Sequence, residues 1–198
     1  GTQTIISLTF NYFNPSETTG NEVPNIAMYA LGEDYHKVLR KKLKELSNLL
    51  KNTIDPGLNI RYFTDSAPIM ERVWAKKSGL GWVGKNTLLI NPKSGSYFFL
   101  AELLINLEIE PDIEINDYCG TCTRCIDACP TAAISEEGYI MDGSKCISYL
   151  TIELKEDEIP IEFKDKMEGW AFGCDICQQV CPWNRFSKPH NEIAFNPN

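Results

Sequence analysis

Cys119-Gly-Thr-Cys122-Thr-Arg-Cys125-Ile-Asp-Ala-Cys129-Pro130 is the stretch that decides the architecture. It is answered downstream by Cys146 and by Cys174-Asp-Ile-Cys177-Gln-Gln-Val-Cys181-Pro182. These eight are all the cysteines in the 198 residues. Three thiols at spacing three, a fourth four residues on, and a proline behind it form the bacterial run that binds iron–sulfur clusters. In two-cluster proteins the fourth thiolate of each run crosses to the other cluster. Disulfides would suit an even count and an oxidising compartment, but three sulfurs on one tight loop converge on a common centre and pair poorly among themselves. Zinc takes four thiolates from paired Cys-x-x-Cys knuckles. It gives no reason for the third cysteine or for the proline.

The second run departs from the pattern. A full repeat ending at Cys181 would carry a cysteine at 171, where the chain has Ala171, and Cys146 is the natural substitute. Crossed wiring then assigns Cys119, Cys122, Cys125 and Cys181 to one cluster and Cys129, Cys146, Cys174 and Cys177 to the other. Each Cys-Pro step removes a backbone donor next to a thiolate. Two cubanes also act as staples for a segment with little core of its own.

Hydrophobic residues make up 43% of the chain, ordinary for a folded protein, and the formal net charge is −8. A whole-chain basic footprint for nucleic acid is therefore absent, although a local patch is compatible with it. The most apolar run, 97–107, is short and carries Glu102, so no transmembrane helix is expected. Oxygen-sensitive clusters and the lack of a signal-peptide pattern point to the cytoplasm. The chain opens on Gly1-Thr2 and enters a strand at once, so both ends are expected to be trimmed from a longer protein.

Two regions separate by composition. Residues 1–114 hold no cysteine and alternate helix and strand signals; residues 115–190 hold every cysteine and form the two-cluster module; residues 191–198 are a tail. Residues 108–117 are expected to connect the first two. A strand is expected over 4–12. Tyr35, Val38, Leu39, Leu43, Leu46, Leu49 and Leu50 recur at helical spacing. His36, Lys37, Arg40, Lys41, Lys42 and Lys44 fill the other faces, as a solvated surface or, alternatively, one turned to RNA. A short strand follows over 59–64. Next comes a helix entered at Pro68 and closed by Gly79. The loop Gly79-Leu-Gly81-Trp82-Val-Gly84-Lys85-Asn86 leads to strand 87–90, a turn over 91–95, and a strand or short helix over 96–105. The expected fold class is α+β, an α/β region packed on a ferredoxin-like module.

Several strings go further. Asp65-Ser-Ala-Pro-Ile-Met-Glu-Arg72 and Lys77-Ser-Gly-Leu-Gly-Trp-Val-Gly-Lys-Asn86 resemble the epoxyqueuosine reductase family. So do Asp34-Tyr35-His36-Lys-Val-Leu-Arg40, Cys146-Ile-Ser-Tyr-Leu-Thr151 and Phe172-Gly-Cys174-Asp-Ile-Cys177-Gln-Gln-Val-Cys-Pro-Trp-Asn184. Together they span about residues 29–184 in the family's order. The resemblance implies two [4Fe–4S] clusters and a base-off cobalamin. It also implies a tRNA substrate whose epoxide becomes an alkene at the expense of two electrons and two protons. It makes the first region a cobalamin-binding region, and the protein a monomer served by an external low-potential electron donor. A corrinoid reductase acting on a small molecule, like reductive dehalogenases, and a plain electron carrier are the alternatives.

Asp65 matches the family's proposed general acid. Equally, an aspartate just ahead of Pro68 suits a helix N-cap, worth about 1 kcal/mol. Capping favours a charged carboxylate, whereas a proton donor needs the opposite, so Phe63 and the corrin face would have to desolvate it. The resemblance further implies Asp65, Lys85, Asn86, Leu89 and Leu100 as cobalamin contacts, with Ser148 and Asp175 between cluster and corrin. The glycines of 79–84 serve either a tight turn or close approach to a flat cofactor. His36 and His190 belong to no metal-spaced pair. Met28 stands where the family carries a basic residue, and Trp82 and Trp183 read as packing residues.

Overall fold

The computed structural model describes residues 1–15, 24–156 and 158–197. Residues 16–23 of the first region and Asn198 of the tail, with the expectations that cover them, lie outside those described. In chain order the elements are β1 (Thr4–Asn11), β2 (Asn25–Ile26), α1 (Tyr35–Thr53), β3 (Ile60–Phe63), α2 (Glu71–Lys77), β4 (Trp82–Val83), β5 (Leu89–Ile90) and β6 (Phe98–Ile105). The cysteine-bearing half adds α3 (Arg124–Asp127), α4 (Ile147–Ile152), α5 (Ile161–Lys164), β7 (Trp170–Phe172) and α6 (Ile176–Gln179), with short 3-10 turns between. The result is a mixed α and β fold.

An antiparallel sheet in the order β1-β6-β3 organises the first half. Its central strand β6 is the apolar run, and it is a strand throughout. Alternation divides its side chains between two faces. Ala101, Leu103 and Ile105 pack with Leu43 of α1 on one face, and Phe99 packs with Leu39, Tyr12 and Phe195. α2 lies against β1 and β6, on the face that carries Glu102. Asp34 caps α1 by accepting the His36 N–H at 3.0 Å. The buried stripe of α1 is Leu39, Leu43 and Ser47. Leu49, placed on that stripe by its spacing, is instead 56% exposed, because the sheet covers a narrower arc of the helix than the leucines occupy.

Two other expectations are corrected. α2 begins at Glu71, so Pro68 precedes the helix, and the residue at its N-cap is Met70, with no side-chain hydrogen bond. Asp65 therefore caps nothing. Gly81 and Gly84 allow a close approach, but to the chain itself. A Cβ on Gly81 would lie 2.1 Å from the Ile90 carbonyl oxygen, and one on Gly84 would lie 2.4 Å from Ile90 Cδ1. Gly79 does end α2, at φ +68°.

The two halves interlock. β2 pairs in parallel with β7, and Ala27 shares a buried cluster with Ile147 and Trp170. The Gln178 amide donates to Ser96 O and Oγ, both at 3.1 Å, while Asn184 accepts the Ser96 N–H at 2.6 Å. These buried bonds tie the second cysteine run to the loop that feeds β6.

Candidate functional site

Both cysteine runs make the same single helical turn. α3 opens after Thr123 at φ −121°, ψ 6°, and α6 after Asp175 at φ −108°, ψ 5°. The two turns pack on one another. Each delivers a cysteine just past its end, Cys129 and Cys181, and Cys146 enters from the N-cap of α4.

The eight thiols are free and fall into two neighbourhoods. Burial, and then the charges of Cys119, Cys181 and Cys122, raise the Cys125 thiol to about 11. Burial likewise pushes Cys174 up to about 12, with Cys146 and Cys129 among the charges beside it. Cys177 is raised by burial and then by Cys174, Cys146 and Cys125, so the two neighbourhoods adjoin through Cys125. Among the described residues no three His, Cys, Asp or Glu side chains converge as a single metal ion requires. Thiols that raise one another by their charge suit a shared metal centre, whose cations would offset their mutual repulsion.

The Trp82 indole N–H points at Cys119 Sγ, 3.5 Å away, and the Ala133 N–H donates to Cys129 Sγ at 3.3 Å. Donors aimed at sulfur stabilise the reduced, more negative centre. Trp82 is buried and packs edge-on against Trp183 and Tyr118, so the packing role read from sequence comes with a polar one. Lys85 lies here too. Its ammonium donates to the carbonyls of Gly120 at 2.8 Å and Cys122 at 3.1 Å, and it lines a small cavity of about 70 Å³ beside the first quartet.

The other assigned residues surround a cleft made of two joined cavities. The inner one, about 280 Å³, is walled by Asn86, Leu89, Leu100, Ser148 and Asp175, with Cys146, Cys174 and Cys177 at its base. The outer one, about 430 Å³, carries Asp65 and Tyr35. Tyr12, Tyr29, Phe98, Met141, Cys146 and Ser148 line both. Aliphatic and aromatic walls with few polar groups suit a flat organic cofactor. Asp175 is buried, and desolvation lifts its carboxyl to about 6 even though the Met28 N–H donates to it at 2.7 Å. Met28 thus acts through its backbone. Asn86 is also buried and spends its amide on the chain, donating to the Cys177 carbonyl at 3.4 Å.

Asp65 lies one residue beyond the end of β3 and adopts φ +45°. A left-handed conformation costs a non-glycine residue about 1 kcal/mol or more and needs support from its surroundings. Its N–H donates to Glu71 Oε1 at 2.6 Å, and its carboxylate accepts the Tyr35 O–H at 2.6 Å. Tyr35 is clamped between Phe99 at 4.2 Å and His36 at 4.0 Å. Burial and the Asp65 carboxylate push its phenol well up, so it serves as a donor. His36 Nδ1 lies 2.9 Å from Asp34 and Nε2 lies 3.7 Å from Asp65. The apolar wall expected from Phe63 is absent: the Asp65 side chain is 66% exposed, and Phe63 lies under the Arg61 guanidinium. Sequence reading missed Tyr35, His36 and Glu71 as partners of Asp65. The one signal was their presence in two strings that carry the family resemblance, Asp34–Arg40 and Asp65–Arg72.

The chain matches the family described as "Epoxyqueuosine reductase QueG, DUF1730" over residues 1–66, and a "4Fe-4S double cluster binding domain" over residues 118–184. It is 60% identical to an epoxyqueuosine reductase of Cyclobacterium marinum, covering all of this chain and 63% of that protein. It is 45% identical to one of a Synechocystis species, covering 98% of this chain and 68% of the relative. The chain thus spans 63% and 64% of the length of the relatives from Cyclobacterium marinum and Leadbetterella byssophila. A crystal structure of epoxyqueuosine reductase superimposes with a TM-score of 0.86 at 33% identity, covering 98% of this chain and 52% of that one. Another, solved with an epoxyqueuosine-modified tRNA-Tyr stem loop, does so with 0.81 at 33% identity, over 98% and 51% of the two chains. A reductive dehalogenase associated with B12-dependent dehalogenation shares the fold, with 0.58 at 18% identity.

Proposed function

The chain belongs to the epoxyqueuosine reductase family, and from that premise we propose that its protein converts epoxyqueuosine in tRNA to queuosine. The balance is one epoxide, two electrons and two protons giving one alkene and one water. Cys119, Cys122, Cys125 and Cys181 hold one [4Fe–4S] cluster, and Cys129, Cys146, Cys174 and Cys177 hold the second. The joined cavities hold a base-off cobalamin, with Asn86, Leu89, Leu100, Ser148 and Asp175 around it; the Lys85 ammonium faces the first quartet instead. When bound, these groups supply the electrons, taken one at a time from an external low-potential donor.

The chain's own residues supply position and protons. The Asp65 carboxyl gives a proton to the epoxide oxygen as the C–O bond breaks. The Tyr35 O–H fixes its orientation, and His36, between Asp34 and Asp65, is placed to return the proton. Because Asp65 is exposed here, docking of the modified base supplies the desolvation that a neutral acid needs. The protein acts as a monomer in the cytoplasm, where tRNA is found.

The observation that carries this reading is the continuity of the cleft: Cys146, Cys174 and Cys177 line the inner cavity, Asp65 lines the outer one, and Cys146 and Ser148 line both. The test is the full-length protein, reconstituted anaerobically with iron, sulfide and cobalamin and given tRNA bearing epoxyqueuosine. Nucleoside mass analysis should show conversion to queuosine. No conversion by fully loaded protein would falsify the reading.

A further inference from the structure

Glu102 stands in the middle of β6, fully buried at 0% exposure. Among the described residues neither of its carboxyl oxygens has a hydrogen-bond partner. A buried carboxylate with no donor and no cation is expensive enough that the group takes up a proton instead. β1 faces it with Ser7 and β3 with Phe63, neither of them charged. β4 and β5, which pack on α2, contribute no titratable side chain. The charged residues of α2 are Glu71, Arg72, Lys76 and Lys77. Lys76 turns to Glu114 and Lys77 lies over Trp74. Arg72 donates to the Thr87 carbonyl and sits beside Glu71. Glu71 is the group within hydrogen-bond reach of Glu102.

Two carboxyl groups in contact need a proton between them. Burial and the Asp65 charge raise the Glu71 carboxyl too, but the Asp65 N–H, the Glu102 contact and the Arg72 guanidinium favour its charge; every influence on Glu102 disfavours charge. The proton therefore belongs to Glu102, and its O–H is the donor that the contact between the two carboxyls requires. Burial first, and then the Glu71 charge, raise the Glu102 carboxyl to about 8.

We propose that Glu102 is a positioning residue held as the neutral acid. It donates to Glu71, and the Glu71 carboxylate grips the Asp65 N–H and holds the Asp65 turn in its left-handed conformation at the cleft. This rests on the reading of Asp65 as the proton donor. Ionising Glu102 sets two negative charges against each other in the core, pushes Glu71 away and releases the turn. Turnover then fails on the alkaline side although no group touching substrate has titrated.

The experiment uses the loaded full-length enzyme and its Glu102→Gln and Glu102→Ala variants. Infrared difference spectra of the ¹³C-Glu-labelled enzyme should show a carboxylic-acid band at neutral pH that is lost in E102Q and titrates near 8 in the wild type. Above that pH the wild-type kcat should fall about tenfold per pH unit with KM unchanged. E102A, lacking any donor, should lose about 100-fold in kcat through misplacement of Asp65. E102Q keeps a neutral donor; it should recover most of that loss and lack the alkaline fall. Amide exchange at residues 64–71 should quicken in E102A and not in E102Q, a readout independent of turnover. No acid band at neutral pH, an unaltered alkaline fall in E102Q, or equal exchange in both variants overturns the proposal. Should the wild type lack turnover while the band and the exchange behave as stated, the positioning stands and the reaction assigned to Asp65 falls.

Discussion

Asp65 combines a left-handed backbone, an exposed carboxylate and three neighbours that hold it: Tyr35, His36 and Glu71. Strain of that kind persists where surrounding groups over-determine it. Asp65→Asn keeps the size and the Tyr35 contact but removes the transferable proton. Turnover is expected to fall by about 10²–10⁴-fold, while the visible absorption of bound clusters and corrin stays unchanged. Wild-type turnover in that variant would remove Asp65 from the chemistry. Glu102 yields a prediction about stability. Its carboxyl moves from an ordinary value of 4.5 to about 8 on folding. Between those values the folded protein holds a proton that the unfolded chain has released. Stability therefore declines as pH rises through that window. Chemical denaturation at a series of pH values should show this slope in the wild type and a flatter one in Glu102→Gln.

At the scale of elements, the short ladder β4–β5 and its glycine loop frame the first quartet. Trp82 of β4 points its N–H at Cys119, and the loop after it carries Lys85 to Gly120 and Cys122. Gly81→Ala would drive a methyl to 2.1 Å from the Ile90 carbonyl oxygen, a contact with backbone that no rotamer relieves. The strands must part, and a destabilisation of about 1–3 kcal/mol is expected for such overpacking, together with a shift in the potential of the cluster at Cys119 as the indole donor moves. Voltammetry of the variant with unchanged potentials would show that the ladder does not position the donor. The glycine-rich spacing announced a close approach, but what it approaches lies nine residues on in a strand of only two residues, and no local pattern names it.

At the scale of the molecule, the segment around the cysteines has helices of four to six residues and a small buried cluster, Ala27, Ile147 and Trp170, one member of which comes from the other half. Little apolar burial holds it without iron. Anaerobic chelation of the clusters should therefore abolish amide protection over 118–184 and leave the β1-β6-β3 sheet protected, as hydrogen exchange with mass analysis would show. Equal protection with and without iron would mean that the packing across β2 and β7 suffices. The cysteine spacing was legible because metal ligation is local: a loop of three-residue steps dictates where sulfurs point, and the turn repeats wherever the spacing does. The helix over 35–53 was legible because periodicity reports which face is buried; over 96–105 the apolar run left strand and short helix open, and pairing with β1 and β3 makes it a strand. The meeting of Asp65 with Tyr35 and His36 and the pairing of Glu71 with a glutamate buried in a strand depend on contacts between residues about thirty apart. The sequence by itself determined the two-run cysteine framework and the family. Only the tertiary structure decided which carboxyl caps a helix, which stands exposed at the cleft and which is buried without a partner, because burial and neighbours are properties of the folded chain.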